Sequence, residues 1–294
     1  MPFSLRSNVR MRGKSLFMSP PLYITHGIII KVIAFLVNQT RKIAVVEFAR
    51  IIRVECTNIF ICPQGRLFMK AYHIYLIRHG ITQGNDEGRY IGSTDQPLSA
   101  RGEQELKKLA GSYRYPDAEA FYTSPLQRCA RTLEILYPDV SPRVVPDLRE
   151  CDFGDYENKS MDDLKDDPGY QKWVAAKGGI TPPNGESVEI FQKRCCAAFA
   201  GIVNELLRAG TTRAVVCAHG GTIMFILAAF GYPKYPFYRW MTGNGLGYEI
   251  VITPQLWMSA QAFDIAAPIP ENAPDTGLSG LQSVMDALKQ NSEN

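Results

Sequence analysis

An arginine, a histidine and a glycine stand together at 78–80, and these residue types suit chemistry on a bound anion. They end the apolar run 73–78, whose Ile74, Leu76 and Ile77 are typical of a strand that a parallel sheet buries on both faces. Open α/β sheets bind ligands at the carboxyl ends of their strands. An imidazole beside a guanidinium, with a glycine that allows close approach of the backbone, predicts attack by nitrogen on an anion.

A second apolar, β-branched run, at 213–218, also ends in a histidine, His219, which two glycines follow. A helix is expected close behind it, over 223–230. A third junction is the loop after the short predicted strand 143–146, where Glu150 offers a carboxyl group. Both histidines and this carboxyl group therefore follow predicted strands, and parallel strands would bring them to one edge of a sheet.

An arginine also stands at the start of a predicted helix between these junctions. Ser124 is expected to be its N-cap and Pro125 its first helical residue, which places Arg128 in the first turn of a helix that ends near residue 136. An arginine at the positive end of a helix favours a phosphate or sulfate.

In these features the sequence resembles the histidine phosphatase superfamily, the phosphoglycerate mutase-like group. The matching segments, in the family's order, are 78–85, 95–102, 123–128, 148–150 with 153–154, 183–187 and 218–221. The region of resemblance that contains them runs from about residue 69 to residue 265, roughly two thirds of the chain. Within the family the sequence looks like the phosphatase branch, which includes α-ribazole phosphatases and sugar-phosphate phosphatases.

The resemblance implies a role for each matched position. His79 would be the nucleophile that forms a phosphohistidine, and Glu150 would protonate the leaving oxygen and later deprotonate the attacking water. The phosphate would be bound by Arg78, Asn85, Arg128 and His219. Two guanidinium groups and an imidazolium can stabilise a phosphoryl transition state without a metal, and the sequence has no carboxylate cluster or Cys/His pattern that would bind one. We therefore expect neither a metal nor a cofactor.

The elements that must position these residues alternate between strand and helix from residue 71 onward. Such alternation predicts an α/β fold, a three-layer α/β/α sandwich with a mostly parallel central sheet. The longest predicted helix begins at Ser187 and ends near residue 207. Two last strands, at 246–252 and 256–263, are expected to complete the sheet.

Composition limits the partners and the compartment. Residues 1–70 contain eleven Lys and Arg and two acidic residues, a net charge of +9, whereas the rest of the chain contains 21 basic and 27 acidic residues, a net charge of −6. The latter balance gives no basis for nucleic-acid binding. The resemblance implies a small phosphate ester as the partner. Seven cysteines without a CxxC pair indicate free thiols and a cytoplasmic location. The sequence carries no signal for the oligomeric state.

Three regions are predicted: an N-terminal extension (1–68), the histidine phosphatase domain (69–265), and a proline-containing linker with a short C-terminal helix or tail (266–294). The apolar stretch 22–37 raises the possibility of a membrane anchor, but His26 and Lys31 interrupt it, and charges inside a membrane span are costly. Upstream translation from a misplaced start codon is the favoured hypothesis for the extension, and a genuine appended segment is the alternative.

Three functions are compatible with the candidate site. The favoured one is a metal-independent phosphomonoester hydrolase acting on a small phosphorylated metabolite. The second is cofactor-dependent, phosphoglycerate mutase-type phosphoryl transfer, and the third is a non-catalytic binding module, which retention of both histidines, both arginines and Glu150 disfavours. In the mutases that the sequence resembles, the segment between the positions of Glu150 and His219 contains a longer insertion with more basic residues. Here this segment is compact, which favours the hydrolase.

Overall fold

The computed structural model describes residues 59–61, 67–176 and 179–273 of the chain. Its strands are β1 (Ile59–Ile61), β2 (Leu67–Met69), β3 (Tyr72–Arg78), β4 (Ala120–Thr123), β5 (Arg143–Val144), β6 (Arg213–Ala218), β7 (Gly231–Tyr232), β8 (Gly247–Ile252) and β9 (Phe263–Ile269). Its α-helices are α1 (Gln83–Asp86), α2 (Ala100–Ser112), α3 (Gln127–Leu136), α4 (Met161–Leu164), α5 (Pro168–Ala175), α6 (Val188–Ala209), α7 (Gly220–Phe230) and α8 (Pro254–Ala260). Short 3-10 helices lie at Pro146–Leu148, Gly154–Tyr156 and Phe237–Trp240.

Seven of these strands form one mixed sheet in the order β5-β4-β6-β3-β8-β9-β7, while β1 and β2 form a separate antiparallel pair. The pairs β5–β4, β4–β6, β6–β3 and β9–β7 are parallel, and β3–β8 and β8–β9 are antiparallel. The central sheet is therefore mostly parallel, as expected.

Helices cover both faces of the sheet because successive strand residues point to opposite sides. On one face Ile74 and Leu76 of β3 pack in a cluster with α6 and α7. On the other face Tyr75 and Ile77 pack with Leu106 of α2 and with α3. This arrangement confirms the three-layer α/β/α sandwich.

The last predicted strand, 256–263, is wrong, because most of this segment forms α8. The Thr253 hydroxyl caps the helix by accepting the Leu256 N–H at 3.4 Å, and Pro254 occupies its first turn. Both are standard signals for a helix start, and they override the apolar composition that suggested a strand.

The final strand lies later in the chain than expected. Strand β9 continues to Ile269, so residues 266–269, assigned to the linker from sequence, belong to the sheet. Pro268 of β9 pairs with Tyr248 of β8. On the other side of β9, β7 pairs only with the first two residues of the strand, so no described strand pairs with Pro268 there and its lack of an N–H is tolerated. The predicted helix beyond residue 280 and the apolar stretch at 22–37 lie outside the described residues.

Across the described ranges, no helix is long and apolar enough to cross a lipid bilayer.

Candidate active site

The register of the central strands gathers the candidate residues at one edge of the sheet. Arg78 at the end of β3 pairs with Ala218 at the end of β6, so His79 and His219 leave the sheet side by side. The His79 N–H donates to the Ala218 carbonyl at 3.0 Å, and the two imidazole rings lie with their centroids 5.1 Å apart. Ser124 follows the adjacent strand β4 at the same edge.

The ring of His79 has a defined orientation and protonation pattern. Its Nδ1 lies 2.6 Å from the Gly80 carbonyl, which can only accept, so Nδ1 carries the proton and Nε2 carries the lone pair. The described residues provide no hydrogen-bond partner for Nε2. Burial lowers the pKa of His79 well below its usual value, and the charges of Arg128 and Arg78 lower it further. His79 is thus neutral, with Nε2 available as a nucleophile.

Arg128 is fully buried in the first turn of α3, as expected, and its guanidinium is fixed on three sides. One terminal nitrogen donates to the Thr94 carbonyl and the other to the Gly92 carbonyl, each at 2.8 Å. Its Nε donates to Nδ1 of His219 at 3.3 Å.

This last contact determines the state of His219. Because Arg128 Nε can only donate, His219 Nδ1 must be an acceptor, and Nε2 then carries the proton that it donates to Ser124 Oγ, 2.6 Å away. Burial and the nearby Arg128 charge hold the pKa of His219 well below its usual range. The sequence-based expectation of an imidazolium here is not met in this geometry, since a neutral His219 links Arg128 to Ser124.

Arg78 is the last residue of β3 and directly precedes His79. One terminal nitrogen donates to the Thr242 carbonyl at 2.7 Å. Its Nε is buried without a hydrogen-bond partner in the described part of the chain. A Cβ at Gly220 would lie 3.5 Å from this Nε, at ordinary van der Waals distance, so the first residue of α7 borders this nitrogen.

Glu150 is buried, and backbone groups hold both its oxygens. Oε1 accepts the Cys151 N–H at 3.0 Å and Oε2 accepts the Gly221 N–H at 2.9 Å. Burial raises the pKa of Glu150, while these two hydrogen bonds and the charges of Arg128 and Arg78 act in the opposite direction. The net direction is upward, so burial outweighs the arginines, a balance that the sequence alone left open.

A buried ion pair fixes the segment that carries Glu150. Arg194 on α6 pairs with Glu186 at 2.6 Å and donates to the backbone carbonyls of Asp147, Arg149 and Glu150 at 3.0, 2.7 and 2.8 Å. One guanidinium thereby orients the whole turn that presents the carboxyl group.

Residues 74–263 match the family model described as the histidine phosphatase superfamily (branch 1). The chain belongs to this superfamily. The resemblance inferred from the sequence motifs is confirmed, and the protein is an enzyme of the histidine phosphatase type.

Individual relatives of this histidine phosphatase carry different names. It is 34% identical over 169 residues to the "Probable phosphoglycerate mutase GpmB" of Klebsiella pneumoniae, covering 55% of this chain and 76% of that protein. It is 32% identical over 125 residues to the adenosylcobalamin/alpha-ribazole phosphatase of Escherichia coli K12, covering 41% of this chain and 62% of the relative.

The fold of this histidine phosphatase has counterparts among solved structures. The alpha-ribazole phosphatase from Shigella flexneri aligns with a TM-score of 0.57 and 24% identity, over 66% of this chain and 95% of that one. At this identity the likeness shows the α/β fold alone.

Five of the six residues named from the sequence contribute to this edge of the sheet, whereas Asn85 is occupied elsewhere. Its side chain accepts the Thr82 N–H at 3.2 Å and thereby completes the capping box of α1. Its role at the rim of the pocket stays a prediction. Sequence analysis missed Ser124 as a partner of His219, although its position directly after a parallel strand was a usable signal.

Proposed function

We propose that this histidine phosphatase is a metal-independent phosphomonoester hydrolase that transfers the phosphoryl group of a small phosphorylated metabolite to His79. The observation that carries this proposal is the hydrogen bond of 2.6 Å between His79 Nδ1 and the Gly80 carbonyl, which leaves the lone pair of this buried ring on Nε2, close enough to Arg128 and Arg78 for their charges to act on it. A neutral imidazole held in this tautomer is a nucleophile that needs no separate base.

In the first step Nε2 of His79 attacks phosphorus, an N–P bond forms and the ester P–O bond breaks. Glu150 gives its proton to the leaving oxygen, which departs as an alcohol. The upward shift of the Glu150 pKa supports this assignment, because a general acid must hold a proton before the bond breaks.

In the second step water attacks the phosphohistidine. Glu150, now ionised, takes a proton from the water, a P–O bond forms and the N–P bond breaks. Orthophosphate leaves and His79 returns to its neutral form. The same carboxyl group therefore acts first as an acid and then as a base.

The positive charge that stabilises the transition state would come from Arg78 and Arg128. The buried Arg78 Nε, unpaired among the described residues, is a ready donor to a phosphate oxygen. Arg128 is already held in place by its neighbours through three of its five N–H groups, and a preorganised donor of this kind stabilises a phosphoryl transition state at low reorganisation cost.

The hydrolase is favoured over the mutase by the basic residues of the interval after Glu150. Arg194 is engaged by Glu186 and by backbone carbonyls, and Arg213 pairs with Glu119 at 3.6 Å. The described lysines of the interval are exposed, at Lys159, Lys165, Lys172 and Lys193. This set supports binding of one phosphate group rather than of a phosphoglycerate, which carries a carboxylate as well.

A metabolite screen tests the proposal. Phosphate release from a panel of phosphomonoesters is measured with EDTA present, beside an assay of phosphoryl exchange between 2- and 3-phosphoglycerate. Release from at least one small ester, without mutase turnover, is expected. Mutase turnover that exceeds hydrolysis of every ester would replace the hydrolase by the mutase.

Two further proposals concern organisation. We propose that the catalytic domain spans residues 69–269, which the family match over 74–263 and strand β9 support, and that the β1–β2 pair, which lies outside the seven-stranded sheet, is dispensable for it. A cytoplasmic location is supported by the unpaired thiols among the described residues, at Cys129, Cys151, Cys195, Cys196 and Cys217. A protein limited to 69–273 should keep full phosphatase activity, and loss of folding on this truncation would contradict the boundary.

A further inference from the structure

Glu157, which follows the 3-10 helix Gly154–Tyr156, accepts an unusual number of hydrogen bonds. Its two carboxylate oxygens accept the backbone N–H groups of Gly92, Ser93, Thr94 and Phe153 at 2.9 to 3.3 Å, and Oε2 also accepts the Thr94 hydroxyl at 2.5 Å. These donors come from two segments about 60 residues apart in sequence. A solvent-facing loop charge would not collect such a set.

The segment 92–94 bonds to Glu157 with its N–H groups and to Arg128 with its carbonyls. The carbonyls of Gly92 and Thr94 each accept a guanidinium N–H of Arg128 at 2.8 Å. The three residues thus form a bridge between a carboxylate and the buried arginine. The Gly92–Ser93 peptide group belongs to both sides of this bridge, because its N–H donates to Glu157 and its carbonyl accepts from Arg128. A rotation of this peptide group that released Glu157 would therefore also turn the Gly92 carbonyl away from Arg128.

We propose that Glu157 is a positioning residue that sets the direction of the Arg128 guanidinium through segment 92–94. The inference rests on the proposed function, in which Arg128 binds the phosphate. Through Phe153 the same carboxylate also holds the segment that begins at Glu150. One side chain therefore fixes the relative placement of the phosphate-binding arginine and the proton donor.

The hydrogen bonds to Glu157 require a carboxylate at this position. Both side-chain oxygens of Glu157 accept backbone N–H groups. In a glutamine one of these oxygens would be an NH2 group, which would face the backbone donors and could not accept from them. The approach is also close, because a Cβ at Gly92 would lie 1.8 Å from the Cys151 carbonyl oxygen and 2.5 Å from Glu157 Oε1. Only a glycine allows segment 92–94 to reach the carboxylate.

A double-mutant cycle tests whether Glu157 acts through Arg128. The dissociation constant of inorganic phosphate is measured by calorimetry for the wild type, Glu157→Gln, Arg128→Ala and the double variant. Arg128→Ala should weaken phosphate binding about 10- to 100-fold through loss of charged hydrogen bonds, and Glu157→Gln about tenfold. The double variant should match Arg128→Ala within about twofold, because neighbouring residues that act together are not additive.

Matched controls separate positioning from general stability. Glu105→Gln removes an exposed carboxylate that pairs with Arg101 at 2.8 Å on α2, and it should leave phosphate binding unchanged. Thr94→Val removes only the hydroxyl that donates to Glu157, and it should weaken binding about three- to tenfold. This milder variant serves as the test if Glu157→Gln fails to fold.

The outcomes distinguish the positioning proposal from the proposed function. Losses from Glu157→Gln and Arg128→Ala that multiply in the double variant would overturn the positioning role, as would wild-type phosphate binding in both Glu157→Gln and Thr94→Val. A wild-type protein that binds phosphate with the expected coupling but hydrolyses no ester would overturn the hydrolase and leave the positioning role intact.

Discussion

Replacing Glu150 by Gln would remove a titratable proton and nearly preserve the volume of the side chain. The carboxylate accepts one backbone N–H on each oxygen, from Cys151 and from Gly221. A glutamine carbonyl can serve only one of these donors, and its NH2 group faces the other. A buried donor left without a partner costs about 1–3 kcal/mol. The lower part of this range, about 1.4 kcal/mol, corresponds to a tenfold loss of rate, which is expected for every substrate from this structural effect alone.

The loss of the proton adds a second effect that depends on the leaving group. An alkyl phosphate releases a poor leaving alkoxide, and absence of a general acid should lower its phosphoryl-transfer rate by about two to four further orders of magnitude. The leaving oxygen of p-nitrophenyl phosphate departs as an anion, so only the tenfold structural loss should remain. The ratio between the two substrates, rather than either rate, identifies the acid.

Rapid-quench burst kinetics are the suitable assay, because Glu150 should also act as the base in the later attack by water and so slow steady-state turnover of both substrates. Asp152→Asn is the matched control, since its carboxylate accepts the Gly154 N–H at 2.8 Å and lies two residues away in sequence. Equal burst losses on both substrates would show that Glu150 only shapes the pocket. A substrate-dependent loss in Asp152→Asn would make Asp152 the donor.

Further predictions concern the two histidines, their partner Ser124, the independence of a metal and the pH dependence of stability. His79→Ala should abolish the phosphoenzyme, and acid-labile, base-stable radiolabel that persisted in this variant would contradict the assignment of the nucleophile. Ser124→Ala removes the acceptor of His219 Nε2 and should lower kcat/KM about tenfold without changing the fold, as circular dichroism would check. EDTA should leave activity unchanged and orthovanadate should inhibit; activity lost in EDTA and restored by Mg²⁺ or Zn²⁺ would contradict the mechanism. Burial holds the pKa values of His79 and His219 below that of free histidine, about 6.5, so the unfolded state binds more protons below this pH. The free energy of unfolding from urea titrations should therefore fall as the pH is lowered from 6.5 to 5, and the fall should be smaller in His219→Asn.

The gathering of both histidines at one sheet edge was predictable from the sequence. The apolar runs that end at Arg78 and Ala218 are continuous and β-branched, which is the signature of strands buried on both faces, and the polar residue that follows each one must then leave the sheet. Parallel pairing of the two runs is enough to bring His79 and His219 together. The α/β fold and the position of His79 at its sheet edge followed from the same short signals.

Contacts between segments distant in sequence were not predictable. Ser124 was interpreted as a helix N-cap because a Ser-Pro pair is typical of one, yet α3 begins only at Gln127. The carboxylate that accepts the Gln127 N–H, at 2.8 Å, belongs to Asp95, 32 residues earlier. The same holds for Glu157, because most of its donors lie far upstream in the chain. Local spacing carries no information on such pairings.

Strand order has a consequence for how the enzyme is made. Strand β6 lies between β3 and β4, so the two strands that lead to His79 and Ser124 share no neighbour until residues 213–218 are added. A nascent chain that has emerged only to about residue 210 would therefore hold His79, Arg128 and Glu150 without the strand that aligns them. Long-range parallel pairing of this kind is slow, because the ends of a long loop must meet before any contact stabilises them. The ability to bind phosphate should thus appear abruptly, late in synthesis, as β6 inserts between its neighbours.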